Sequence, residues 1–265
     1  MKKILSKRNI NATKDGKKLL VGYLLAGYPQ KEGFLKLTTD CEAAGVDIFE
    51  IGFPSADPSS DGEVIQKAHQ RIDASVCSDV EYWRAIRNAI TKPIWVMGYK
   101  RDLIDTGIYR ILAQKGLIDA LVIPDISFQE RQKLSEELSS YSVDIVGFVN
   151  PDMQDDELEE CFSNTALVYQ QLYAGPTGMS VVSDDFIEIL KKAHKYEHVK
   201  VFAGFGISTP QRVRQLLASG FEGAIVGTAM IRKLNESEQE LIAFVKELNS
   251  SAQKAGERNA VYCNL

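Results

Sequence analysis

Cysteine and histidine are scarce in this chain of 265 residues, with four of the first and three of the second. Cys41, Cys77, Cys161 and Cys263 are far apart and form no CxxC pair, so neither a zinc site nor a disulfide framework is signalled. Reduced, structural thiols are expected. His69, His194 and His198 fall in polar stretches that read as helices. The i, i+4 pair His194 and His198 fits a solvated helix face better than half of a metal site. An excess of basic charge is also missing: 31 Lys and Arg stand against 36 Asp and Glu, for a net charge of −5 and a pI of about 5.4. No broad positive surface is left for nucleic acid or for anionic lipid. No run approaches the ~18 apolar residues of a membrane span. The opening stretch, MKKILSKRNINATKDGKK, lacks the apolar segment of a secretion signal, so a cytoplasmic protein is expected.

What is present is an ordinary globular composition, 45% hydrophobic and 25% charged, with no Pro/Ser/Gly-rich linker. A single domain over residues 1–265 is expected, with a helical extension over about 1–18 and a polar, irregular tail over about 251–265. Eight short apolar runs read as strands: 19–26, 47–53, 93–97, 119–124, 144–149, 166–172, 199–205 and 223–227. Their Val, Ile, Leu and Phe occupy both alternating positions, as in a parallel sheet covered on both faces. Amphipathic segments such as SFQERQKLSEELSSY and TPQRVRQLLASG lie between them. Ser208-Thr209-Pro210 supplies a capping residue and a first-turn proline for one helix. Eight βα units without a break predict a closed (β/α)8 barrel. The rival, an open doubly wound sheet, lacks its GxGxxG after the first strand, where AGYP stands instead.

Barrel chemistry is built by the loops that leave the carboxyl ends of the strands. Strand alternation places Ile48, Glu50 and Gly52 on one side of the second strand. If that side faces the axis, Glu50 projects into the mouth, where burial raises its pKa and suits it to proton transfer. Asp61 follows in the loop EIGFPSADPSSDG, although Asp-Gly is also an ordinary turn signal. After strands seven and eight, AGFGIS and VGTA present glycine amides and a helix start, the features of a phosphate site. YAGPTG after strand six has the length of a lid.

These pieces, in this order, resemble the alpha subunit of tryptophan synthase: GYLLAGYP, AAGVDIFEIGFPSADPSSDG, PIWVMGY, LVIPDIS, YAGPTG, GFGISTPQRV and GAIVGTAMI. The resemblance implies a carbon–carbon lyase that cleaves indole-3-glycerol phosphate to indole and glyceraldehyde 3-phosphate. It implies Glu50 as the acid–base residue and Asp61 as the group that engages the ring nitrogen. It implies phosphate contacts at Gly178, Gly204, Phe205, Gly206, Gly227 and Thr228. Tyr23, Tyr99, Tyr169 and Phe205 fall on pocket positions, Gln171 and Tyr173 border the pocket and lid, and Thr177 is the lid hydroxyl. Asp125, with Pro54, Asp57 and Pro58, matches loops that face a beta subunit in an alpha2-beta2 assembly. No metal or organic cofactor is implied. Departures at Gln170, Gln171, Arg101 and Tyr173 leave two other readings open: an aldolase or isomerase for a more polar sugar phosphate, and a weakly catalytic partner of a beta-type subunit.

Overall fold

A computed structural model of the protein describes residues 2–58, 61–173 and 186–262, with side chains to residue 256. Nine parallel strands form one sheet: β1 (Leu19–Leu25), β2 (Ile48–Gly52), β3 (Ile94–Met97), β4 (Ala120–Val122), β5 (Asp144–Ile145), β6 (Gly147–Val149), β7 (Leu167–Gln171), β8 (Lys200–Gly204) and β9 (Gly223–Val226). Their order is β5-β4-β3-β2-β1-β9-β8-β7-β6. β5 and β6 are the halves of one crossing, joined at Val146, whose N–H still bonds to Leu121 O at 2.9 Å. The first half pairs with β4 and the second with β7, so the sheet closes into an eight-stave barrel with helices outside. Each run expected to be a strand is one.

Pleating sorts the side chains. Ile48, Trp95, Val122, Leu167 and Phe202 point inward and form the barrel's own core, whereas Phe49, Ile51, Val96 and Val168 meet the helices. At the helix Pro210–Ala218, Thr209 caps the amino end by accepting from Arg212 N–H, with the proline in the first turn, as its sequence predicts. No helix among the described residues is long and apolar enough to cross a membrane.

Two expectations change. Residues 251–262 are not irregular, because the helix Glu238–Tyr262 runs through them. Leu241, Val245, Leu248, Ala252 and Ala255 are all buried, and their spacing of four and three continues one apolar stripe into a stretch that otherwise looks polar. His194 and His198 do not share a helix face either, since the helix Phe186–Ala193 has already ended. Cys41, Cys77 and Cys161 are free thiols, and Cys263 lies outside the described residues.

The amino-terminal helix Lys7–Thr13 stoppers the end of the barrel away from the site. Asn9 there receives the Trp95 indole N–H at 2.8 Å, and its own amide donates to Asp144 at 2.8 Å and to the Asp119 carbonyl at 3.2 Å. Ser6 donates to Asp119 at 2.7 Å, and the same carboxylate meets Arg87 at 2.7 Å. Asn9→Ala would strand a buried indole donor and deprive a buried carboxylate of a partner. It is expected to lower unfolding free energy by roughly 2–3 kcal/mol in urea titrations with an unchanged m value.

Candidate active site

The carboxyl-end mouth of the barrel holds a cavity walled by apolar side chains and reached by two acids, Glu50 and Asp61. β2 places Glu50 beside Tyr23 on β1 and Trp95 on β3, one residue pair above the packed interior. Its side chain faces the axis, as the alternation predicts. Glu50 is 3% exposed, and its Oε1 has no hydrogen-bond partner among the described residues. Burial first, and the nearby Asp61 charge second, push its pKa up to about 8. The carboxyl therefore keeps its proton at neutral pH.

Asp61 is also buried, at the end of the loop that leaves β2. Its N–H closes a turn on Pro58 O at 3.0 Å, and its carbonyl accepts from the Gln66 amide at 2.7 Å. Gly62 then starts the helix Glu63–His69. Burial pushes Asp61 up to about 6, opposed by the Tyr99 hydroxyl, which donates to Oδ2 at 2.6 Å. The two acids differ in setting: one has an oxygen without a hydrogen-bond partner among the described residues, and the other is held by a phenol.

Aromatic rings shape the rest. A Cβ on Gly52 would lie 2.3 Å from the Tyr23 hydroxyl, and one on Gly204 would lie 2.2 Å from the Tyr169 ring. Glycine at these two positions admits the rings. Phe205 meets Tyr169 edge-on at 6.0 Å and Tyr173 at 5.8 Å. Its φ of 72° is left-handed, a strain of about 1–3 kcal/mol that a non-glycine residue carries mainly at functional sites.

The other end of the cavity is richer in main-chain amides. Gly206, Ser208, Gly227 and Thr228 line it. The helix Thr228–Glu236 begins there, and its first bonds run from Met230 and Ile231 N–H to Gly227 O. The amides of Thr228 and Ala229 precede those bonds, so they and the helix dipole are available to an anion. Arg232, which the sequence reading missed, also lines this end. It has no ion-pair partner among the described residues.

Of the site residues expected from sequence, Tyr23, Glu50, Asp61, Tyr99, Tyr169, Gln171, Phe205, Gly206, Gly227 and Thr228 converge on the cavity. Gly204 sits behind it, beneath Tyr169. Tyr173 is buried behind Phe205, and Asp125 is an exposed acceptor for the Lys100 N–H at 2.9 Å, so neither is among the residues that line the cavity. Thr177 and Gly178 lie outside the described residues. Gln170 turns away from the axis and donates to Phe186 O at 2.7 Å, and Arg101 pairs with Asp57 at 3.4 Å on the rim. Among the polar departures noted in the sequence, Gln171 alone reaches the cavity.

His69 differs from its expected place. It ends a helix but is buried, not in polar surroundings, and its Nε2 stands 3.9 Å from Asp61. Ile65, Ala68 and His69 share the buried face of their helix, so the helical periodicity held the signal, with a histidine at an apolar position.

A family model described as "Tryptophan synthase alpha chain" matches residues 10–260. A tryptophan synthase alpha chain from Prochlorococcus marinus (strain MIT 9313) is 30% identical over 260 residues, which cover 94% of each chain. Among solved structures, tryptophan synthase from Mycobacterium tuberculosis superposes with a TM-score of 0.82 at 24% identity, over 96% of this chain and 99% of that one. The tryptophan synthase complex from Pyrococcus furiosus gives 0.75 at 24% identity, over 88% and 98%.

Burial of Glu50 makes stability depend on pH. Below its ordinary value of 4.5 the group is protonated whether the chain is folded or not. Between there and about 8 only the folded state keeps the proton, so stability falls as pH rises, and the full penalty stands above about 8. Glu50→Gln removes this term. The variant is expected to match the parent protein near pH 4.5 and to exceed it by on the order of 3 kcal/mol at pH 8.5, measured by denaturant unfolding at both pH values.

Proposed function

Because the chain belongs to the tryptophan synthase alpha chain family, we propose that its chemistry takes place between Glu50 and the amide-lined end of the cavity, with Asp61 at the substrate's ring nitrogen. The protein is a carbon–carbon lyase that cleaves indole-3-glycerol phosphate to indole and glyceraldehyde 3-phosphate. One observation supports the assignment of residues: two buried acids of unlike setting share an apolar cavity whose far end offers first-turn amides without an intrahelical partner.

The phosphate sits against Gly206, Gly227 and the amino end of Thr228–Glu236, where the dipole and the amides favour an anion. Arg232 adds a guanidinium at that end. The ring lies among Tyr23, Tyr169 and Phe205, which exclude water. Glu50, protonated at neutral pH, gives its proton to the ring carbon that bears the side chain. The resulting positive charge spreads to the ring nitrogen, whose N–H donates to the Asp61 carboxylate. Glu50, now a carboxylate, takes the proton from the adjacent side-chain hydroxyl. The carbon–carbon bond breaks, the hydroxyl carbon becomes the aldehyde, and the bonding electrons restore the neutral ring. Each group returns to its starting protonation state.

The pairing of roles follows from the pKa values: the acid near 8 donates and the one near 6, held by Tyr99, stays ionised and stabilises the charge. The polar residues that suggested a different sugar phosphate do not gather at the cavity, so that reading is not favoured.

A tryptophan synthase beta chain is the proposed partner. The support is the likeness to the Pyrococcus furiosus tryptophan synthase complex and the exposed Asp57 and Asp125 around the mouth. A cytoplasmic location belongs to the same proposal, in keeping with the free thiols of Cys41, Cys77 and Cys161.

Glu50→Gln and Asp61→Asn are each expected to reduce indole release from indole-3-glycerol phosphate by about 10²–10⁴-fold with the fold intact, and near-native turnover in either would remove that residue from the mechanism. Light scattering of the chain mixed with a tryptophan synthase beta chain is expected to show a heavier complex. A mass unchanged at tens of micromolar would set the partner aside.

A further inference from the structure

One buried titratable side chain beside the acids has no part in the chemistry described so far. His69 ends the helix Glu63–His69 with its ring turned inward. Its Nδ1 accepts the Ser55 N–H at 3.0 Å, so that nitrogen carries no proton. Burial pushes its pKa down to about 4, and the ring is neutral through the working range. Its single proton therefore lies on Nε2. Nε2 stands 3.9 Å from Asp61 Oδ2, the oxygen that also receives the Tyr99 hydroxyl. That gap is about 1 Å longer than a hydrogen bond and within reach of a small rotation of the carboxylate.

We propose that His69 is a positioning residue for Asp61: a neutral donor, locked by the Ser55 amide, whose Nε2–H closes on the carboxylate when the substrate's ring nitrogen engages it. The proposal rests on the role given to Asp61 above. A neutral donor suits the task for a physical reason. A cationic histidine would pair with Asp61 and cancel the negative charge that the ring cation needs, whereas an uncharged N–H orients the carboxylate and leaves its charge in place. The other groups that face Asp61 are Glu50 on β2, Tyr23 on β1, Tyr99 after β3 and Tyr169 on β7, and each is an acid or a phenol. His69 brings a nitrogen donor to that ring of oxygens. Asp102, in the helix Lys100–Leu103, faces its other side.

Ser55 extends the connection outward. Its hydroxyl accepts from Asp57 N–H at 3.2 Å and from Arg101 at 3.4 Å, so the residue that fixes one edge of the imidazole is tied to the rim of the mouth, and the other edge faces the Asp61 carboxylate.

The test compares His69→Phe, which removes the donor, with His69→Asn and His69→Gln, which restore an amide N–H. Indole release from indole-3-glycerol phosphate is followed across pH. His69→Phe is expected to lower kcat roughly tenfold or more with a smaller effect on KM. It is also expected to move the acid limb of kcat upward, because an ionised Asp61 that loses a donor is harder to form. One of the two amide variants is expected to recover both effects in part. A merely structural role would reduce stability and leave the limb where it was, and that outcome overturns the proposal. Asp61→Asn measured alongside separates the two assignments: near-native turnover there defeats the role of Asp61, whereas an inactive Asp61→Asn beside a fully active His69→Phe defeats only that of His69. The parent protein gives a readout without substitution. ¹⁵N spectra of labelled histidine are expected to show His69 protonated on Nε2 alone at pH 7, its proton moving downfield when indole-propanol phosphate binds; an Nδ1–H tautomer would overturn the proposal.

Discussion

The carboxyl group of Glu50 is buried without a hydrogen-bond partner for one of its oxygens, and the rest of the site is arranged around that cost. A carboxylate left there would lack both water and a donor, so the group holds its proton. The barrel sustains this by pinning β2 between two neighbours whose ladders leave the side chain no other direction. Asp61 has the opposite provision. It arrives on a turn, and a phenol and an imidazole stand beside it. Two chemically similar acids stand in unlike settings, because one has an oxygen without a donor among the described residues and the other accepts from a phenol with an imidazole close by.

Charge of the opposite sign is arranged with similar economy. The cavity keeps cationic side chains away from its acids: Arg101 is engaged on the rim and His69 is neutral. Arg232 lies at the end where the phosphate is placed. On the proposed assignment, the ring cation formed during cleavage meets acidic groups and phenols, while the anionic end of the substrate meets amides and a guanidinium. Such a gradient across a small space also sets the direction in which the substrate enters.

Much of this was legible in the sequence, for reasons that differ along the chain. The strands were readable because a doubly covered parallel sheet needs near-continuous apolar runs, and Glu50 stood out as the acid that interrupts one of them. Gly206, Gly227 and Thr228 were readable from their place after the seventh and eighth staves. Gly204 was expected at the phosphate, and the structure shows that it makes room for the Tyr169 ring, since a main-chain amide contact and a steric allowance leave the same letter in the sequence. Gln170 and Gln171 are adjacent, and only the pleat decides which of them sees the cavity. His69 escaped because a neutral, buried imidazole and a solvated one are identical in composition, and its partner nitrogen belongs to Ser55, fourteen positions away. The carboxyl-terminal stripe escaped because alanine is a weak hydrophobic marker at 252 and 255.

The stopper at the far end of the barrel bears on how the molecule is made. Asn9 is bound to Asp144 across 135 positions of chain, and Ser6 to the same carboxylate across 138. As the chain is made, the helix can meet Trp95 and Asp119 first, but its bonds to Asp144 wait for the fifth stave. The base of the barrel is therefore latched in two stages, and the second joins residues that are far apart in the sequence.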